Sequence, residues 1–219
     1  MNRAPAPSSF VNTHTVSSSG LTSDIIAAGI GYVYEILDAI DEKLISGGAF
    51  RLASMIELAN LSSVVGNLLG SGIVRAAEGI FRRNRPHAYP DLLAKHQKAF
   101  DIEIKMALET NKPKGHLAKE GYYLTCRYVL GDEQGNYIGG KENRGEVVWI
   151  WEIRFGYLNE GHFNLSNTRG DSGKTAVVNA EGMKELEILF CDLDRCPYSK
   201  NSPTYRNYTQ LYSPQSKMF

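Results

Sequence analysis

The sequence has little cysteine, and its three cysteines exclude two kinds of stabilising framework. Cys126, Cys191 and Cys196 are irregularly spaced along 219 residues, which is too few thiols for a disulfide-rich fold. Cys191 and Cys196 also lack the two further ligands that a structural zinc site requires. We therefore expect reduced thiols and a cytoplasmic protein.

Long hydrophobic runs and an excess of charge are absent as well. No apolar stretch approaches the roughly 20 residues of a membrane span. Residues 1–21 are rich in Pro, Ser and Thr and lack the apolar core of a signal peptide. Because 24 Lys and Arg balance 24 Asp and Glu, the total charge does not indicate a nucleic-acid partner, although a local basic region remains possible.

The remaining pattern predicts a flexible lead over 1–21 and a single domain over 22–219. Residues 22–85 read as its helical part. Apolar residues recur at steps of three and four from Ile26 to Leu44, which predicts a helix that starts at Thr22 or Ser23 and stops at Gly47. A second helical region follows over 50–81, and glycines at 66, 70 and 72 are expected to divide it.

Residues 86–219 have the alternating pattern of strands. "KAFDIEIKMAL", "GYYLTCRYVL" and "EVVWIWEIRFGYL" each predict one, and the last carries aromatic residues at 149, 151, 155 and 157 that we expect on one face. Shorter strands are predicted near 174–178 and 185–191. Helices followed by strands without an internal repeat indicate a single α/β domain.

The stretch "NTRGDSGKTAVVN", residues 167–179, contains two fragments that look like known motifs. Gly173-Lys174-Thr175 resembles the end of a phosphate-binding loop, but the first glycine of that loop is replaced by Thr168, and a strand pattern follows instead of a helix. Gly170-Asp171-Ser172-Gly173 resembles the surroundings of a serine-protease nucleophile, but no histidine lies in a matching context. A polar turn before a strand is the remaining simple interpretation.

A stronger constellation lies in "YPDLLAKHQKAFDIEIKMALE". Period-2 alternation places Glu103 and Lys105 on one face of a strand and Ile104 on the other. Asp91 belongs to Pro90-Asp91, the single Pro-Asp pair of the chain, shortly before that strand. Two carboxylates and a backbone carbonyl form a hard oxygen site suited to Mg²⁺. Asp91, Glu103 and the carbonyl of Ile104 are therefore the candidate ligands, and Lys105 can orient a water or stabilise negative charge.

This arrangement resembles the PD-(D/E)XK nuclease superfamily, and within it the type II restriction endonucleases. The resemblance rests on Pro90-Asp91 and Glu103-Ile104-Lys105, and more loosely on the order of elements over 50–190. It implies a restriction-endonuclease-like central mixed β-sheet flanked by helices. A glutamate from an earlier helix often joins the site in this family, and Glu57 and Glu78 are equal candidates. The alternative is that Glu103 and Lys105 are charges on a solvated strand face.

A local basic excess surrounds these residues. From Arg82 to Lys119 there are nine Lys and Arg against four Asp and Glu, and such a region can hold phosphates with salt-sensitive affinity. Lys112 and Lys114, just after the candidate strand, are the best predicted phosphate contacts.

Base recognition needs donors and acceptors on a loop that can enter a groove. In the resembling enzymes such loops commonly follow the catalytic strands, so we expect 166–175 to read bases. The 131–145 loop and the tyrosine-rich tail are alternative readers. The predicted DNA contacts in 166–175 are Asn167, Arg169, Asp171, Ser172 and Lys174.

The resemblance therefore implies a Mg²⁺-dependent, sequence-specific endonuclease of a prokaryotic cytoplasm that cleaves double-stranded DNA. It would act as a homodimer, since a twofold dimer matches a palindromic site. The sequence has no methyltransferase motif, so we expect the protecting methyltransferase to be a separate protein. Two alternatives remain: a structure-specific repair or junction nuclease of the same fold, and a non-catalytic DNA-binding protein.

Overall fold

The helices of the N-terminal half form a layer against one face of the main sheet. The computed structural model describes residues 3–11, 19–140, 142–166 and 175–211. Helix α1, Ser23–Ser46, starts where the side chain of Thr22 accepts a hydrogen bond from the N–H of Ile25, and it ends at Gly47. Both ends agree with the prediction. Helices α2 and α3 follow at Leu52–Met55 and Leu58–Ala76.

The expected break at the glycines is wrong. Helix α3 runs through Gly66, Gly70 and Gly72, and the helical region is interrupted before Leu58 instead. A Cβ on Gly72 would lie only 3.0 Å from the Cα of Gly29 in α1. The glycines therefore permit close helix packing, which offsets their unfavourable helix propensity of about 1 kcal/mol each.

Six strands form a mixed sheet. These strands are Phe81–Arg83 (β1), Leu92–Ala94 (β2), Ile102–Leu108 (β3), Gly121–Gly131 (β5), Val147–Leu158 (β6) and Glu187–Cys191 (β9). They are adjacent in the order β1-β2-β3-β5-β6-β9. Strands β3 and β5 are parallel, and the other neighbouring pairs are antiparallel. The α/β class and the flanking helices are confirmed at this level.

A second, three-stranded sheet has the order β4-β8-β7. Its members are Lys114–Gly115 (β4), Thr175–Val178 (β8) and Phe163–Ser166 (β7), and the short helix α4, Ala180–Glu185, follows. Tyr123 from the main sheet packs with Phe163 and Val178 in a small apolar cluster that is separate from the larger core under α1 and α3. The second sheet therefore covers the face of β3 and β5 opposite the helices.

The long strand β6 does not place its aromatic residues on one face as expected. The pairing of β5 with β6 shifts register between Arg127 and Tyr128. Trp149 pairs with Val129, whereas Phe155 pairs with Leu124, and these partners lie on opposite faces of β5. An extra residue in one strand of a pair disrupts the alternation locally.

The N-terminal segment predicted to be flexible packs on the domain over its described residues, 3–11. Arg3 is 9% exposed, and its guanidinium binds Asp38 of α1. The N–H of Val11 donates to the carbonyl of Leu189 at 2.9 Å. Residues 3–11 therefore dock on the domain, because the buried arginine gains a carboxylate partner. Residues 12–18 lie outside the described residues.

Among the described residues, none of the helices combines the length and the apolar character of a membrane span.

A buried polar network attaches the last helix, α5, Pro203–Gln210, to the main sheet. Glu152 of β6 is 1% exposed and accepts from Arg154 Nε at 2.8 Å and from the Tyr208 hydroxyl at 2.5 Å. Arg127 lies 3.2 Å from the other oxygen of the same carboxylate. Burial beside Glu152 raises the pKa of Tyr208, so its hydroxyl stays neutral and donates.

Replacing Tyr208 with Phe should lower the free energy of unfolding by roughly 1–3 kcal/mol. Glu152 loses a buried donor, and Arg154 Nη2, which donates to the Tyr208 hydroxyl at 2.8 Å, loses a buried acceptor. Urea denaturation measures this change. Tyr205→Phe, on the same helix, is the matched control and should cost less than about 0.5 kcal/mol. Equal stability of the two variants would show that the network does not hold α5.

Candidate active site

The candidate residues meet in a cleft of about 750 Å³ between α3 and the second sheet. Strand β3 forms its floor. One wall is the face of α3 that carries Ser62, Ser63, Gly66 and Asn67. The opposite wall comes from the segment 111–116 and from β8.

Asp91 is attached to the cleft floor by a backbone contact. Its Oδ2 accepts a hydrogen bond from the N–H of Ile104 at 2.8 Å. The short strand β2 begins at the next residue and pairs with β3 at Leu92 and Ile102. This pairing and the hydrogen bond place the Asp91 carboxylate beside β3.

Glu103 is buried rather than solvated. It is 8% exposed, and Lys105 Nζ donates to its Oε1. Burial raises the pKa of Glu103, the ammonium of Lys105 opposes that rise, and the neighbouring Asp91 adds to it. The alternative that Glu103 is an ordinary charge on a solvated face therefore does not fit the structure.

The carbonyl of Ile104 lies on the same edge of β3 as Asp91. The N–H and C=O of one residue in a strand point toward the same side, and the N–H of Ile104 points at Asp91. Beyond the Leu92–Ile102 pair, this edge of β3 borders the cleft. The geometry thus directs the third predicted oxygen ligand toward the two carboxylates.

These residues fit a divalent cation in their donor chemistry. Asp91 lies near enough to Glu103 to raise the pKa of the Glu103 carboxyl. Two carboxylates and a carbonyl match the oxygen ligands of Mg²⁺, which usually completes its shell with water and substrate phosphate. The described residues contain no group of three or more His, Cys, Asp or Glu side chains that could bind a metal. A cation here would therefore rely on the backbone carbonyl and on substrate.

The structure does not bring Glu57 or Glu78 into this site. Glu57 is the residue that precedes α3, and Glu78 lies beyond its end. Neither is among the described residues that line the cleft. The positions of α3 that face the cleft carry small or neutral side chains instead.

The predicted phosphate contacts are close to the acidic residues. Lys112 and Lys114 both line the cleft, and so does His116. Gly115 lies between Lys114 and His116 and packs against Lys105, since a Cβ on Gly115 would be 2.9 Å from Lys105 Cε. One wall of the cleft is therefore basic, while the α3 wall is neutral.

Sequence reasoning missed Tyr89, which fixes the segment before Asp91. Its hydroxyl donates to the carbonyl of Glu120 at 2.8 Å, and Lys119 Nζ lies 4.3 Å from its ring centroid. Gly121, with φ 153°, permits this approach, since a Cβ there would be 2.4 Å from the Tyr89 hydroxyl. Only the aromatic side chain next to Pro90-Asp91 could have indicated it.

The predicted base-reading residues Asn167, Arg169, Asp171, Ser172 and Lys174 lie outside the described residues. The strands on either side, β7 and β8, pair antiparallel from Phe163–Val178 to Ser166–Thr175. Val177 of β8 lines the cleft, so this strand pair borders the candidate site.

The two alternative segments for base recognition, the 131–145 loop and the tail, contact the domain in different ways. Arg144 of the 131–145 loop lies 3.8 Å from Glu109, which follows β3. The tail is attached through Tyr208, as described above, and its residues 212–219 lie outside the described part.

Comparison with known proteins finds no match. No protein-family model and no curated protein sequence matches the chain. Any assignment therefore depends on the residues of the cleft.

Proposed function

We propose that the chain is a Mg²⁺-dependent type II restriction endonuclease with a PD-(D/E)XK-type fold, which hydrolyses phosphodiester bonds of double-stranded DNA. The observation that carries this proposal is the convergence of Asp91, buried Glu103 and Lys105 with the Ile104 carbonyl at the floor of one cleft. The mixed sheet flanked by helices is compatible with the fold.

Each residue has a distinct part in this proposal. Asp91, Glu103 and the Ile104 carbonyl would hold the cation, which would polarise the phosphate and lower the pKa of a bound water. Lys105 orients the attacking water and stabilises negative charge that develops on the phosphate. Lys112 and Lys114 bind the flanking phosphates.

Action on both strands requires two copies of the cleft. A homodimer would supply them with the twofold symmetry of a palindromic site. The 166–175 loop is the proposed source of base contacts, and a separate methyltransferase would protect the host DNA.

Supercoiled plasmid is the first test, because a single assay separates the rival functions. We expect conversion to discrete linear fragments with Mg²⁺ and none with EDTA. Cutting confined to branched or damaged DNA would favour a repair or junction nuclease. Retarded migration without cutting at any Mg²⁺ concentration would favour a non-catalytic DNA-binding protein.

A further inference from the structure

We propose that Asn67 of α3 is an additional substrate-contacting residue, whose side-chain NH₂ donates to a phosphate oxygen of the DNA strand in the cleft. The inference rests on the nuclease function proposed above. Asn67 is exposed and lines the same cleft as Asp91 and Lys105.

Two glycines of α3 show which residues of β3 lie opposite Asn67. A Cβ on Gly66 would be 2.9 Å from Met106 Cγ, and one on Gly70 would be 3.0 Å from Ile104 Cδ1. Helix α3 therefore runs over β3 with Gly66 at the level of Met106 and Gly70 at the level of Ile104. Asn67 lies between these levels, opposite the stretch of β3 that carries the Ile104 carbonyl and Lys105.

Arg83 fixes which end of the amide faces the cleft. Its Nη2 donates to Asn67 Oδ1 at 3.0 Å. A guanidinium can only donate, so the oxygen of the amide must face Arg83 and the NH₂ must turn away from it. Arg83 is itself held against α3, because its Nη1 occupies the space over Gly70, where a Cβ would be only 2.1 Å away.

The other polar side chains of this wall already have partners. Ser62 Oγ donates to the carbonyl of Leu58 and lies 2.8 Å from the Tyr128 hydroxyl. Ser63 Oγ donates to the carbonyl of Ala59 at 3.1 Å. Within the described part of the chain, no protein acceptor takes the NH₂ of Asn67. It is therefore the donor that this wall offers to a ligand.

A neutral donor suits this position chemically. A phosphate in the cleft would meet cations on the 111–116 wall, and an amide on the opposite wall would add a hydrogen bond to a charged acceptor, which is stronger than a neutral one. Because the amide has no charge, it neither competes with the carboxylates for a cation nor repels the phosphate. Both walls of the cleft would thus bind the phosphates of one DNA strand.

Two substitutions separate a substrate contact from a structural role. Asn67→Asp keeps an acceptor for Arg83 but replaces the donor with a carboxylate oxygen, and Asn67→Ala removes both. We expect Asn67→Ala to lower the single-turnover cleavage rate or the DNA affinity by roughly 10- to 100-fold, the range for a hydrogen bond to a charged group. Asn67→Asp should lose more, with an unchanged midpoint of thermal unfolding.

Asn60, an exposed residue of α3 that does not line the cleft, provides the matched controls Asn60→Ala and Asn60→Asp. Both should behave like the wild type. DNA affinity is measured with Ca²⁺ in place of Mg²⁺ and cleavage with Mg²⁺, on one duplex. If Asn67→Asp binds and cuts as well as the wild type, the inference is overturned while the nuclease function stands. If the wild type does not cut, both are overturned.

Discussion

Asp91→Asn is expected to lower the rate of Mg²⁺-dependent cleavage of duplex DNA by roughly 10³-fold while leaving the domain folded. The amide oxygen of asparagine can still accept the hydrogen bond from the N–H of Ile104, so the local backbone contact survives. The negative charge that would bind the cation is lost. Removal of a ligand that supports several kcal/mol of charge stabilisation corresponds to a decrease of roughly 10³-fold in rate.

Asp101→Asn is the control for this variant. Asp101 also accepts from a strand backbone, with its Oδ1 2.8 Å from the N of Ala94, but it does not line the cleft. Its amide variant should cut at the wild-type rate. Rates are compared under single-turnover conditions on one duplex, with thermal unfolding as the test of folding. Equal cleavage by Asp91→Asn and wild type would remove Asp91 from the site.

Lys105→Ala should lower the cleavage rate by roughly 10²- to 10³-fold, the usual effect of removing one donor to transition-state charge. It should also move the acid limb of the pH–rate profile. Lys105 holds down the pKa of Glu103, which burial raises. Without the ammonium, the pKa of Glu103 rises further, and a larger fraction is protonated at a given pH. Since only the carboxylate can bind a cation, we expect the limb to shift toward higher pH.

Lys95→Ala controls for the loss of a positive charge near the cleft. Lys95 is exposed just after β2 and does not line the cleft. We expect its pH–rate profile to match that of the wild type. A Lys105→Ala variant that keeps both the rate and the acid limb would show that the lysine is a structural partner of Glu103 alone.

The core of the candidate site could be predicted because its signals are local in sequence. Glu103 and Lys105 stand in a regular alternation, and period 2 is enough to place them together. Asp91 immediately precedes β2, the short strand that comes before β3 in the chain. The identity of the Ile104 carbonyl as a partner follows from the same two segments. The sequence of β3 and of the segment before β2 is thus enough to predict which residues meet on the cleft floor.

The α3 wall of the cleft could not be predicted in the same way, since it depends on contacts between distant segments. Asn67 becomes relevant only because Gly66 and Gly70 let α3 lie on β3 and because Arg83 turns its amide. The same glycines predict a helix break, because helix propensity describes the stability of an isolated helix. It does not include the packing against other elements that stabilises α3. Glu57 and Glu78 were plausible by residue type, but α3 presents other positions to the cleft.

The bulge in β6 shows a second reason why the structure could not be fully predicted from the sequence. Trp149 and Phe155 are expected on one face under strict alternation. The register shift opposite Arg127 and Tyr128 instead pairs Trp149 with Val129 and Phe155 with Leu124, which lie on opposite faces of β5. A single extra residue in a ladder leaves no clear sequence signal, because each local side-chain pattern on either side of it remains regular.

Mapping the DNA ends at single-base resolution tests the central claim most directly. The purified chain is incubated with Mg²⁺ and a linear duplex of known sequence, and both strands of the products are sequenced to their ends. A restriction endonuclease built on Asp91, Glu103 and Lys105 should cut at the same position within every copy of one short sequence, and nowhere else. Intact DNA, or ends scattered without regard to sequence, would contradict the account.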